Sequence, residues 1–371
     1  MQRRHDHDRA WVTTRKGLFE LRRRGAAWAI ERSSFLGEPV SMMLAPQSAN
    51  ATDSDSPRLY AALNLGHFGV KLHGSDDGGQ TWQELATPAY PPQPDGEPVA
   101  GVAWKLVQIW SLAAASGVVW AGTLPGGLFR SDDRGASWRL VESLWNQPGR
   151  AQWFGGGYDV PGIHSICVHP ARPDELLVGI SCGGAWQTRD GGASWTLAAH
   201  GMRAAYMPPD QSGDPNIQDP HLIARCAGAP DVLWCQHHNG IFRSTDGAAS
   251  WHEITGAPDT SFGFAVAVHP GDPQTAWFAP ALADEKRVPV GGALAVHRTR
   301  DGGRSFEQLR DGLPLRDCYD LVYRHGLAVA PSGDALMMGS TTGHLWASDD
   351  GGDSWQTVAA NLPPIAAVRY G

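Results

Sequence analysis

A chain of 371 residues, 42% hydrophobic and 18% charged, can bury a large core, and its 45 glycines, 27 prolines and 16 tryptophans indicate many short strands and tight turns instead of helices. The formal net charge of −8 argues against a nucleic-acid partner, since even the basic start at Arg3, Arg4 and Arg9 is interrupted by Asp6 and Asp8. No stretch approaches the ~18 apolar residues of a membrane span, the first residues lack a secretory core, and the five cysteines include no CxxC pair. A cytoplasmic chain with no membrane partner, no disulfide framework and no thiolate zinc site is therefore expected.

In chain order, one octamer dominates. It reads SDDGGQTW from Ser75, SDDRGASW from Ser131, TRDGGASW from Thr188, STDGAASW from Ser244, TRDGGRSF from Thr299 and SDDGGDSW from Ser348. Its aspartates, Asp77, Asp133, Asp190, Asp246, Asp301 and Asp350, are spaced by 56, 57, 56, 55 and 49 residues, enough for four strands and their loops per unit. A decayed seventh copy stands first: residues 17–28 align without gaps on residues 127–138, with Gly25 and Trp28 retained and Arg23 in place of the aspartate. Inner strands are expected from Ser41, Trp110, His164, His221, Phe264 and Gly326, and the segment from Ile365 supplies the strand missing before Trp11. The predicted fold is all-β: one seven-bladed β-propeller over residues 1–371, closed when the C-terminal strand completes the first blade.

The recurring S/T-x-D-x-G-x-S/T-W pattern resembles the Asp-box, or BNR repeat, of sialidases, xyloglucan-specific endoglucanases, sortilin-type receptors and photosystem II assembly propellers. The resemblance spans essentially the whole chain and implies a glycosyl-hydrolase-like propeller. The aspartate itself reads as a fastener: a carboxylate in a tight hairpin accepts several backbone N–H groups, glycine supplies a left-handed backbone, and the aromatic packs on the neighbouring sheet. Six symmetric copies cannot serve one catalytic centre, so the boxes are expected to be scaffold, with buried carboxylates and with the fourth hairpin altered by Ala248.

Long joins from Ala86 to Gln108, Glu142 to Ile163 and Ala198 to Pro220, with an insertion from Ala283 to Gly292, mark a loop-rich rim where a ligand would bind. His67, Tyr158, His164, Gln236 and Asn239 are candidate ligand-binding residues there. His164, His221, His237 and His238 are candidate ligands of a divalent metal ion, since neutral imidazoles with an amide or carboxylate oxygen suit such an ion. A polar pocket without metal is the competing reading, because His169 and His269 fall in VHP turns where histidine is an ordinary turn residue. Asp159 and Asp219 are candidate general acid and base for glycoside cleavage, or caps of their turns. Trp104, Trp145, Trp153 and Tyr206 either stack on sugar rings or pin the loops.

Sialidases clamp a carboxylate with three arginines, one in an early R-I-P-like motif. The nearest match here, Arg287 with Val288 and Pro289, lies in the sixth unit, and Arg225 and Arg324 are the other candidates. The expected function is thus binding of a small-molecule or carbohydrate-like ligand at the rim, with glycoside hydrolase or metal-dependent lyase chemistry as the enzymatic form. The alternative is a noncatalytic scaffold resembling the photosystem II assembly propellers, with a protein partner.

Overall fold

The computed structural model of the chain describes residues 8–45, 58–94 and 102–371. Seven antiparallel sheets of four strands each form a seven-bladed β-propeller, and among the described residues helix is confined to short turns such as Glu142–Trp145. The C-terminal strand Ile365–Tyr370 pairs with Arg9–Thr14, Val12 opposite Val368, so the last segment completes the first sheet as expected. Among the described residues no helix is long and apolar enough to cross a membrane.

The chain clusters into two compact units, residues 1–40 with 221–371, and residues 41–220. In the first unit, Trp277, Val296, Leu336, Met338, Trp346 and Trp355 fill the space between two sheets, and Val12, Leu21, Met337, Ile365 and Val368 do the same between another pair. In the second unit Trp120, Leu128, Val178, Ile180 and Trp186 form the equivalent layer. Alternation explains these layers: second and third strands are covered on both faces and read as apolar runs, whereas fourth strands such as Thr196–Leu197 are short and half exposed.

Each box closes the hairpin between third and fourth strands. In the third copy the buried Thr188 hydroxyl donates to Asp190 Oδ1 (2.7 Å) and accepts the Gly192 N–H (2.9 Å). Asp190 Oδ1 also accepts the Ser194 N–H (2.9 Å), and Oδ2 accepts the Ser194 hydroxyl (2.5 Å). The same four contacts recur around Asp133, Asp246, Asp301 and Asp350. The fastener role stands, but the buried part is the serine or threonine hydroxyl; the Asp190 carboxylate is exposed, because a one-turn hairpin cannot enclose it. Ala248 keeps the geometry, taking φ 74° where Gly192 has 93° and donating its N–H to Ser244 (2.9 Å), so the fourth hairpin is not altered. In the decayed copy Arg23 instead donates to the Gly25 carbonyl (3.0 Å) and pairs with Asp349 (2.6 Å), replacing an internal clasp by one to the adjoining box.

Hydrogen bonds from the hydroxyl and then the N–H of the residue four positions on, followed by the hydroxyl two positions before, hold Asp133, Asp190 and Asp301 at about 2, below the ordinary 3.8. A carboxylate depressed in the folded state contributes stability that is fully present above its unfolded value, near pH 4, and is lost as pH falls through about 2. Wild type should therefore lose thermal stability steeply between those values. Asp190→Ala should lower the melting temperature at pH 7 and flatten part of that acid limb, as thermal unfolding across pH will show. Ile365→Ala, which empties a buried site in the closing strand, should cost about 2–4 kcal/mol in denaturant unfolding.

Candidate functional site

The strand Pro220–Arg225 starts at the end of its sheet opposite the box hairpin, and the turn joining Leu233–His237 to Gly240–Ser244 returns to that same end. This places His221 and His238 side by side, ring centroids 5.4 Å apart. The His221 Nδ1 lies 2.6 Å from the Gly263 carbonyl, which can only accept, so Nδ1 carries the proton and Nε2 carries the lone pair. His221 and His238 each offer an imidazole nitrogen to this place. Two imidazole nitrogens suit a divalent first-row ion, with open positions for a ligand.

In the unit of residues 41–220 the Asp219 carboxylate is held by its neighbours. Asp219 Oδ1 accepts the Cys182 N–H (3.1 Å) and the Ser181 hydroxyl (3.4 Å), and Cys182 adopts φ 45° to aim its N–H there. Gly156 packs over this group so closely that a Cβ would lie 2.7 Å from Cys182 Sγ and 2.9 Å from Asp219 Oδ2. Burial, then the neighbouring Cys182 and Asp219, push the Tyr206 hydroxyl upward, so that phenol stays protonated.

In the other unit, Phe264 gathers contacts around His221. His221 stacks on it (4.5 Å, 14°), and the guanidinium carbons of Arg287 and Arg324 lie 5.3 and 5.4 Å from its ring centre. Arg324 is 6% exposed, and Arg287 is partly open to solvent. Burial disfavours the Arg287 charge, but hydrogen bonds to Tyr323 and Asp284 raise its pKa overall. Arg225 stands at the far end of the strand that begins beside His221, donating to the Pro230 carbonyl. Two of the three candidate arginines therefore meet at one ring and the third does not.

The remaining predicted residues are distributed elsewhere. His237 is buried and its Nδ1 accepts the Asn239 N–H (3.1 Å), the same device by which His169 and His269 fasten their VHP turns. Gln236 spends its amide N–H groups on the carbonyls of His237, Gly240 and Ser261, at 2.9–3.2 Å. His164 Nδ1 is 2.8 Å from the Ser165 hydroxyl, and its ring stands edge-on to Trp110. His67 and Tyr158 are exposed, against Phe68 and Trp110 respectively. Asp159 is exposed on the same loop as Tyr158. Trp145 and Trp153 are each 2% exposed, so they pin their loop. Phe262, Phe264, Ser181 and Cys182 were missed as site residues; only their positions at strand starts and turns could have marked them.

No family model matches the chain, and no curated protein matches it. Among solved structures, it is similar to a GH74 xyloglucanase from Xanthomonas campestris, with 19% identity over 98% of this chain and 52% of that one and a TM-score of 0.62. An ancestral GH74 enzyme matches with 15% identity over 95% of this chain and 40% of that one, TM-score 0.60. YCF48 bound to D1 peptide matches with 17% identity over 80% and 77%, TM-score 0.51. The chain thus spans about half or less of the GH74 chains. What it shares with all three at such identities is the β-propeller fold.

Proposed function

We propose that this propeller binds a small, negatively charged polar ligand of the carbohydrate-like class at the end of the sheets opposite the box hairpins. A divalent cation held by His221 and His238 forms part of that site. The carrying observation is the pairing of these two imidazoles, ring centroids 5.4 Å apart, beside the guanidiniums of Arg287 and Arg324 on Phe264. Positive charge from the cation and from the two arginines favours an anionic ligand. One of its GH74 structural neighbours is a xyloglucanase, which supports the carbohydrate class. When bound, the cation would supply electrophilic assistance to an oxygen of the ligand. The protein's part is to set the His221 tautomer through Gly263 and to hold that ring against Phe264. Hydrolase or lyase chemistry is the enzymatic form of this proposal.

A scaffold reading has its own support in exposed Leu315 and Tyr319, 64% and 68% accessible, and in the peptide-bound YCF48 neighbour. Such a partner would depend on those two side chains and not on the histidines.

Elemental analysis of untagged protein should find near-stoichiometric divalent first-row metal in wild type and none in a His221→Ala/His238→Ala double variant that still melts cooperatively. Metal-free wild type that also takes up no Zn2+ or Mn2+ on titration would overturn the cation part of the proposal. Arg287→Gln should weaken binding of uronides about tenfold, equivalent to about 1.4 kcal/mol, while neutral glycosides change little in calorimetric titration.

A further inference from the structure

A second reactive group belongs to the unit formed by residues 1–40 with 221–371 and uses neither His221 nor His238. The join over residues 310–326 leads from the strand Glu307–Leu309 into Leu327–Val329, and the turn over residues 340–344 connects Leu336–Gly339 to Leu345–Ser348. The Thr341 N–H donates to the Leu321 carbonyl (2.8 Å), which ties the turn to the join. Asp320, 6% exposed, is the centre of this tie. Its Oδ1 accepts the hydroxyls of Ser340 (2.5 Å) and Thr342 and the Nδ1–H of His344 (2.9 Å), and its Oδ2 accepts the Cys318 thiol (3.2 Å). Burial works to raise the pKa of Asp320, but these hydrogen bonds hold it below the ordinary carboxylate value, so the group is ionised.

A carboxylate can only accept, so in the neutral ring of His344 Nδ1 carries the proton and Nε2 the lone pair. The ring stacks on Trp346 (5.5 Å, 20°), its side chain is 37% accessible, and Nε2 has no hydrogen-bond partner among the described residues. The turn is fastened without the imidazole: Ser340 and Thr342 both reach Asp320, and Ser340 Oγ accepts the His344 backbone N–H (3.2 Å). The ring is thus spare to the clasp, and a fixed tautomer with an open lone pair is what a proton acceptor needs.

We propose that Asp320 and His344 form a hydrolytic pair for small neutral aryl esters. Nε2 takes a proton from water, and the water oxygen adds to the ester carbonyl carbon. Collapse of that adduct breaks the bond between the carbonyl carbon and the aryl oxygen. The departing phenolate takes the proton back from Nε2, leaving a carboxylic acid and a phenol. Asp320 holds the imidazolium while it exists. Charge selects the substrate. No arginine or lysine pairs with Asp320 among the described residues, so the carboxylate disfavours an anionic substrate, and a weakly basic phenolate leaves more readily than an alkoxide.

The probe is p-nitrophenyl acetate. Wild type should hydrolyse it at least about tenfold faster than His344→Gln, the two melting alike because the clasp is intact in both. His252→Gln, which removes an exposed histidine outside this pair, should match wild type. EDTA should leave the rate unchanged, which separates this pair from a cation at His221 and His238. Asp320→Asn should lower the rate where it melts like wild type, and if it melts early the rate of wild type in D2O, slower than in H2O, takes its place. Equal rates in wild type and His344→Gln, an equal loss in His252→Gln, loss of the rate in EDTA, or no slowing in D2O would each overturn the proposal.

Discussion

The structure depends on a clasp four contacts long. A buried serine or threonine hydroxyl gives its proton to an aspartate and takes one from a backbone N–H two residues beyond that aspartate, while the aspartate gathers the N–H and hydroxyl two residues further on. Every member lies within seven residues, so the hairpin forms by local chemistry alone. Its rigidity fixes where the third strand ends and the fourth begins, which sets the register of the whole sheet. The first box lacks the aspartate and survives because Arg23 draws a carboxylate, Asp349, from the adjoining hairpin.

Around that clasp runs a second recurring contact. The arginine one residue before the box reaches the glycine carbonyl of the next hairpin: Arg130 to Gly191 (2.9 Å), Arg243 to Gly302 (3.4 Å) and Arg298 to Gly351 (2.8 Å). Arg130 and Arg243 also cover the second-strand indoles of Trp120 and Trp234. Sheet joins sheet through a charged fork lying on an aromatic face, which shields the hydrogen bond from water. The hairpin end of the sheets is thereby committed to structure, and chemistry is left to the other end.

The histidines divide into two kinds by what their Nδ1 does. His169, His237 and His269 each accept a backbone N–H two residues on, and so belong to their turns. His221 donates instead to a carbonyl 42 residues away, which leaves its second nitrogen with the lone pair. The partner of one nitrogen separates the two kinds. Asp159 and Asp219 divide similarly, one exposed on a loop and the other buried and aligned by Ser181 and Cys182.

The amino-acid sequence by itself determined the seven repeats, the all-β fold, the inner strands and the completion of the first blade by residues from Ile365, because each of these follows from hydrogen bonds and alternation within a few residues. It also offered His221, His238 and Asp219 as candidate site residues, and Arg287 and Arg324 as candidates for an arginine clamp. Only the tertiary structure decided which of them meet. Phe264 comes under His221, 43 residues before it, and under Arg287 and Arg324, 23 and 60 residues after it. Such meetings are set by how sheets pack and where long loops return, and no local pattern in the chain encodes that distance.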